Sequence, residues 1–311
     1  MKSEPTEINS PVIHRERGDG LKYVLISTAR NEAAYIEQTI MSVIGQTLLP
    51  LKWIIVSDGS TDGTDDIVKK YASDKEWIEL LRMPERSERN FSGKAHAFNT
   101  GYAKLKDMNF DLIGNIDADI TFEGNFFEYL LAKFAENPSL GVAGTTYTED
   151  SFKGYNYNIV NIEDVTGHCQ LFRRECFEEI GGYIPIKVGG IDSVAVLTAR
   201  MKGWKTRTFT ERTCVHHRKV GGSQGAFYAS FNAGKKDYYG GGHPVWEIFR
   251  SLYNMRYRPY VLGGLFMFTG YLSGLMGREK IAISEELVAF RRKEQIQRLK
   301  TMFRRTLRLT T

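Results

Sequence analysis

YVLISTARNEAAYIEQTIMSVIGQTLLPLKWIIVSDGSTDG, residues 23–63, holds two strand signals, a helix between them and a polar turn after each strand. Tyr23 to Ser27 is a short apolar run of β-forming residues. From Asn31 to Gly45, Ala34, Ile36, Ile40, Val43 and Ile44 return at helical spacing. The run Trp53 to Val56 then ends at Ser57-Asp58-Gly59-Ser60-Thr61-Asp62-Gly63, and Asp65 to Tyr71 predicts a second helix. Strand and helix in alternation predict a parallel sheet.

A third cycle follows, with a strand at Ile78 to Met83, a helix at Ala95 to Leu105 and a buried strand at Asp111 to Ile116 that ends in Asp117-Ala118-Asp119. Ligands of open α/β sheets bind outside the carboxyl ends of the strands, so Asp58, Asp117 and Asp119 are expected to share one crevice. Beyond residue 140 the pattern changes to mixed short strands punctuated by glycine pairs, and this half is expected to be loop-rich. A helix from Ser193 to Lys202 starts directly after Asp192, where an acid suits a helix start.

The 311 residues, 42% of them hydrophobic, suffice for one α/β catalytic domain with an appendage. A net charge of +5 at this length argues against a nucleic-acid binder. Three cysteines without CxxC spacing argue against a disulfide framework or zinc site and suit a reducing cytoplasm. Residues 1–20 are polar throughout and are expected to form a flexible tail.

The basic surplus is at the other end, with ten Lys/Arg against four Glu from Arg278 to Thr311. Before it, Pro259 to Gly277 is nineteen residues without a charge, the lower limit of a bilayer span, but Arg250, Arg256 and Arg258 precede it and Arg278 and Lys280 follow. Positive charge on both flanks disfavours a crossing. The next segment gathers Ile283, Leu287, Phe290, Ile296, Leu299, Phe303 and Leu307 on one helical face, the pattern of an interfacial helix or of one packed on the domain with a solvated basic face.

Mg²⁺ and Mn²⁺ prefer oxygen ligands and often take one or two carboxylates plus phosphate, so the strand-end Asp117-Ala118-Asp119 suits a cation that carries a diphosphate. Two turn aspartates are equally able to be solvated or capping groups. The order VLISTARNEAAYIEQTIMSVIGQTLLPLKWIIVSDGSTDGT, GKAHAFNTG and IGNIDADI resembles the family 2 glycosyltransferases across roughly residues 21–215. That resemblance implies a GT-A fold, Rossmann-like and α/β, its mostly parallel central sheet flanked by helices. A catalytic domain at 21–235 would divide into a nucleotide-binding half, 21–120, and an acceptor half, 121–235. A C-terminal helical extension at 236–311 would follow, interfacial or packed on the domain.

By the same resemblance Asp58 contacts the nucleotide base, Thr28, Arg30 and Glu32 form the first nucleotide loop, and Lys94 is the lysine of the GKxxAxN segment. Asp117 contacts ribose and metal, and Asp119 ligates the metal directly. The general base is expected shortly after Gly181-Gly182-Tyr183. There the family's acidic pair is reduced to Ile191-Asp192, which leaves Asp192 either as the base or as a cap on the helix it precedes. In Cys214 to Gly222, one of His216 and His217 is implied as a third metal ligand, His216 being preferred, with Arg218 as a phosphate contact. Further on, the stretches Gly234 to Gly240 and His243 to Trp246 resemble a C-terminal extension of bacterial polysaccharide glycosyltransferases.

The expected activity is inverting, Mn²⁺- or Mg²⁺-dependent transfer of a sugar from a nucleoside diphosphate, with UDP favoured, to a hydroxyl of a glycan or lipid-linked acceptor. Such an enzyme would work in cell-surface polysaccharide synthesis on the cytoplasmic face of the cell membrane. The QxxRW motif of processive synthases is absent, which favours addition of single sugars. A sugar-phosphate nucleotidyltransferase and a catalytically inactive membrane-bound scaffold are the competing readings.

Overall fold

In the computed structural model, residues 20–85, 92–149, 161–186, 189–218 and 225–308 are described, with side chains to 304. The N-terminal tail and Gly221-Gly222 lie outside the described residues. The strands are β1 (Tyr23–Ala29), β2 (Lys52–Asp58), β3 (Ile78–Met83), β4 (Leu112–Ile116), β5 (Ile120–Thr121), β6 (Leu140–Thr148), β7 (Cys169–Arg173) and β8 (Lys205–His216). The helices are α1 (Ile36–Ile44), α2 (Thr64–Asp74), α3 (Ser92–Leu105), α4 (Phe126–Glu136), α5 (Arg174–Glu179), α6 (Ile191–Met201), α7 (Ala226–Tyr239), α8 (Pro244–Asn254), α9 (Val261–Met276) and α10 (Glu285–Arg308).

The strands form one sheet in the order β3-β2-β1-β4-β7-β6-β8-β5. β1 pairs in parallel with both β2 and β4, so the chain turns away in opposite directions on its two sides. In open α/β sheets ligands bind at such a reversal, outside the strand carboxyl ends. β7 then runs antiparallel between β4 and β6.

Apolar side chains of β1 alternate between two cores. Tyr23 and Leu25 face the layer of α1, α2 and α4, while Val24 and Ile26 face that of α3, α5 and α6. A strand covered on both faces reads as an unbroken apolar run, which is why YVLIS is so plain in the sequence.

The expectation of short strands beyond residue 140 needs correction. β6 spans nine residues and β8 twelve. Both are Thr-rich, and β8 alternates buried positions with exposed Lys205, Arg207 and Glu211, which disguised it as loop. Residues 235 and 236, on either side of the expected domain boundary, both lie within α7.

α10 lies against α6 on that helix's face of the sheet. Leu287 packs in the same core as α6, and Arg200 makes a two-pronged contact with Glu294 at 3.0 Å on each arm. Its apolar face is therefore consumed in packing as far as Leu299, which is also buried. Among the described residues, no helix is long and apolar enough to cross a membrane. The three cysteines are all free and buried.

Candidate active site

The first nucleotide loop and the Asp58 turn are laced into one unit. Asn31, held at φ 58°, donates its backbone N–H to Ser60 Oγ at 3.2 Å, and its Oδ1 accepts from the N–H of Thr61 at 2.9 Å. Thr64 Oγ1 accepts from the Glu32 N–H at 2.8 Å, and Asp62 Oδ2 from the Ala33 N–H at 3.0 Å. Asp62 also accepts from the Thr64 N–H at the start of α2, so it is committed to the turn. Asp58, buried at the end of β2, faces Arg30 Nη1 at 3.9 Å. Thr28 sits at the carboxyl end of β1, in register with Val56.

Beside this unit, Lys94 in the first turn of α3 donates to Asp117 Oδ1 just beyond β4. Burial works against its ammonium, but the charges of Asp117, Asp192 and Asp119 outweigh that and hold the lysine pKa above its usual value. Lys94 thus marks where the two aspartates of the turn after β4 meet Asp192 of α6.

β8 supplies the opposite wall. His216 is in register with Ile120, and its Nε2 lies 3.4 Å from Asp119 Oδ1 while its Nδ1 lies 3.2 Å from Glu149 Oε1. The imidazole pKa is raised: burial opposes the charge, and the bond to Asp119 prevails. Asp119 is correspondingly lowered against its own burial, by His216, Arg218 and Lys94. Arg218 Nε is 3.4 Å from Asp119 Oδ2, and its Nη2 donates to Glu32. His217 turns the other way, with Nε2 3.0 Å from Thr121 Oγ1 and its ring stacked on Tyr35.

Asp192 is not the helix cap. Gly190, at φ 86°, holds that position, and Asp192 lies inside the first turn of α6. Its carboxylate is over Gly167, where an added Cβ would come within 2.5 Å of Asp192 Oδ2. Gly167 adjoins His168, which sets the Asp192 carboxylate beside this cluster, where its charge is among those that hold the Lys94 pKa up.

Sequence reasoning missed Glu149 and His168. Their ligand atoms and one of His216 lie within 4.8 Å of one another. Burial lowers the His168 pKa, its Nδ1 is buried without a hydrogen-bond partner, and its ring meets His216 edge-on at 4.6 Å. The three residues stand far apart in the chain and form no spaced motif, though Glu149 follows a strand end as Asp117 does.

The donor chemistry fits a divalent cation. Asp117, Asp119 and His216 supply hard oxygen and imidazole nitrogen, and Glu149 can accept from Nδ1–H so that Nε2 keeps its lone pair toward Asp119. Arg218 and Lys94 add positive charge on either side, as a diphosphate needs.

The sequence model of glycosyl transferase family 2 matches residues 24–181. Poly-beta-1,6-N-acetyl-D-glucosamine synthase of Staphylococcus aureus (strain COL) is 28% identical over 131 residues, 42% of this chain and 29% of that protein. The chain thus spans less than a third of that relative. Among solved structures, the mannosyltransferase PcManGT from Pyrobaculum calidifontis, in complex with GDP-Man and Mn²⁺, superposes with a TM-score of 0.55 at 20% identity, covering 92% of this chain and 81% of that one. S. aureus TarS 1–349 with UDP-GlcNAc gives 0.55 at 13% identity, over 87% and 79%. These likenesses show a shared fold, the GT-A architecture that the motifs imply.

Proposed function

The chain belongs to glycosyl transferase family 2, and from that premise we propose that it is an inverting, metal-dependent glycosyltransferase that moves a sugar from a nucleoside diphosphate to an acceptor hydroxyl. The observation that carries this reading is the convergence of Asp117, Asp119, Asp192, Lys94, His216 and Arg218 at one crevice by the strand ends. A UDP-sugar is the favoured donor, as in TarS bound to UDP-GlcNAc. The acceptor is a glycan or lipid-linked glycan in polysaccharide synthesis, the role that the name of the S. aureus synthase carries. The enzyme works peripherally at the cytoplasmic face of the cell membrane.

In this mechanism Asp58 accepts from the base, and Thr28 and Arg30 border the nucleoside. Glu32 holds Arg218 toward the diphosphate. Asp117, Asp119 and His216 would hold the cation, which when bound neutralises charge building on the leaving phosphate. Lys94, kept protonated by its three carboxylates, sits beside Asp117 to add to that stabilisation. Asp192 takes the proton of the acceptor hydroxyl as its oxygen attacks the anomeric carbon and the bond to the diphosphate breaks. A single displacement through an oxocarbenium-like state inverts the anomeric centre.

The test is release of nucleoside diphosphate from UDP- and GDP-sugars with Mn²⁺, and the anomeric configuration of any glycoside formed. Turnover with inversion is expected. Pyrophosphate release from a nucleoside triphosphate and a sugar phosphate would make the chain a nucleotidyltransferase, and no turnover of any donor would make it a scaffold.

A further inference from the structure

Helices α8 and α9 turn apolar side chains outward. On α9 the exposed Val261, Leu262, Leu265, Phe266, Leu275 and Met276 recur at helical spacing along one side. α8 adds Val245, Ile248 and Leu252, spaced three and four apart, and Phe227 of α7 joins them with its ring 5.1 Å from that of Phe266. A surface helix in water ordinarily presents its polar side outward. α9 instead presents leucine, phenylalanine and methionine, and turns Gly263, Gly264, Gly270 and Gly274 inward.

Those glycines explain the inversion. A Cβ on Gly270 would fall 1.9 Å from the Phe231 carbonyl oxygen, and one on Gly234 would fall 1.8 Å from that of Met267. α7 and α9 therefore touch backbone to backbone, the close approach that small residues permit between helices in lipid. With the interior filled by backbone, the larger apolar side chains have only the outer face left.

What surrounds the face identifies the occupant. Arg256 and Arg258 lie at one end of α9, Arg278 and Lys280 at the other, and all four are exposed. Arg256 lies over the Tyr253 ring and Arg258 Nε reaches the Tyr260 hydroxyl at 3.5 Å. Among the described residues none of the four is paired with a carboxylate. Tyr257 and Tyr260, both about half exposed, are at the same junction, and amphipathic rings suit the headgroup level of a bilayer. α9 has sixteen residues, a length of about 24 Å, short of the ~30 Å hydrocarbon core. Cationic at both ends and too short to cross, it is built to lie in an interface.

We propose that the α8–α9 face, extended by Phe227, docks the protein on a bilayer that carries anionic lipid. This rests on the membrane-surface part of the function above and not on its transfer chemistry. It also moves the contact from α10, whose apolar side is packed on the domain as far as Leu299, to helices whose apolar side is open along their length.

The experiment is co-flotation of the full chain with vesicles of phosphatidylcholine alone or mixed with phosphatidylglycerol, on wild type and on the triple variant Leu252→Gln, Leu262→Gln, Leu265→Gln. Binding to the mixed vesicles should exceed binding to phosphatidylcholine, weaken with salt, and fall by about tenfold or more in the triple variant. A second variant, Arg256→Gln with Arg278→Gln, leaves the apolar face intact and should lose the preference for phosphatidylglycerol. Wild type that floats with neither vesicle, or a folded triple variant that binds like wild type, would overturn the proposal. So would a lipid-free dimer that the triple variant converts to monomer without vesicle binding by either, since a second copy would then be the occupant. Nucleotide binding, measured in parallel, should be unchanged in both variants, so a failure of the transferase reading registers separately.

Discussion

Asp192→Asn removes a charge from the site while keeping the shape of the side chain. The cap of α6 is Gly190 and Asp192 lies inside the first turn, so the helix keeps its start. The structural loss is the favourable contact of one acid with the first turn, about 0.3–1 kcal/mol, a shift in Tm of no more than about 3 °C in a chain of this size. The catalytic loss is larger. A general base contributes ~10²- to 10⁴-fold, or about 3–5 kcal/mol of barrier. Nucleotide binding should hold or tighten slightly, because the substitution relieves Lys94 of one of its three carboxylate neighbours. The assay is initial-rate transfer beside calorimetric UDP binding and a thermal melt. Gly167→Ala offers an independent check, since its Cβ would meet Asp192 Oδ2 at 2.5 Å and push the carboxylate aside with its charge retained. Transfer should fall there too. Transfer within about tenfold of wild type in Asp192→Asn would refute the assignment, and joint loss of transfer and nucleotide binding would make Asp192 a binding residue.

Two further predictions concern stability. Glu247, fully buried beside Arg250 and Asp237, has its pKa pushed up to about 8 by burial. A carboxyl raised in the fold contributes fully below its unfolded pKa and loses that contribution as pH rises through about 8. Melts from pH 6 to pH 9 should therefore show a falling Tm, and Glu247→Gln should flatten the curve and be about 2–4 kcal/mol more stable than wild type at the alkaline end; parallel curves would contradict this. Gly270→Ala should cost about 1–3 kcal/mol despite the better helix propensity of alanine, because its Cβ would meet backbone 1.9 Å away. A gain of about 1 kcal/mol, as at an open helical site, would show that α7 and α9 are not in close contact.

The parallel half of the sheet was legible because burial on both faces leaves unbroken apolar runs, as in β1 and β2, and because the turns at their ends carry Asn31, Asp58 and Asp62. β6 and β8 were not, since Thr-rich strands with charges on an exposed side resemble loop. The choice between His216 and His217 turns on strand parity. Only the pairing of Ile120 with His216 points that ring toward Asp119. Asp192 reads as a cap until the helix is seen to begin at Ile191, two residues before the expected Ser193. Amphipathicity in α10 was visible in the sequence, but periodicity cannot say whether an apolar stripe meets protein or lipid. In α9 the exposed face became visible only once the glycine face was placed against α7.

Calorimetric titration of UDP, GDP and dTDP into the full chain, with and without Mn²⁺, on wild type and Asp119→Ala, tests the donor site most directly. Mn²⁺-dependent binding of one nucleoside diphosphate that is lost in Asp119→Ala is the predicted result, and it names the base. Absence of binding by all three, or binding indifferent to both Mn²⁺ and Asp119, would contradict a metal-assisted donor site at this crevice.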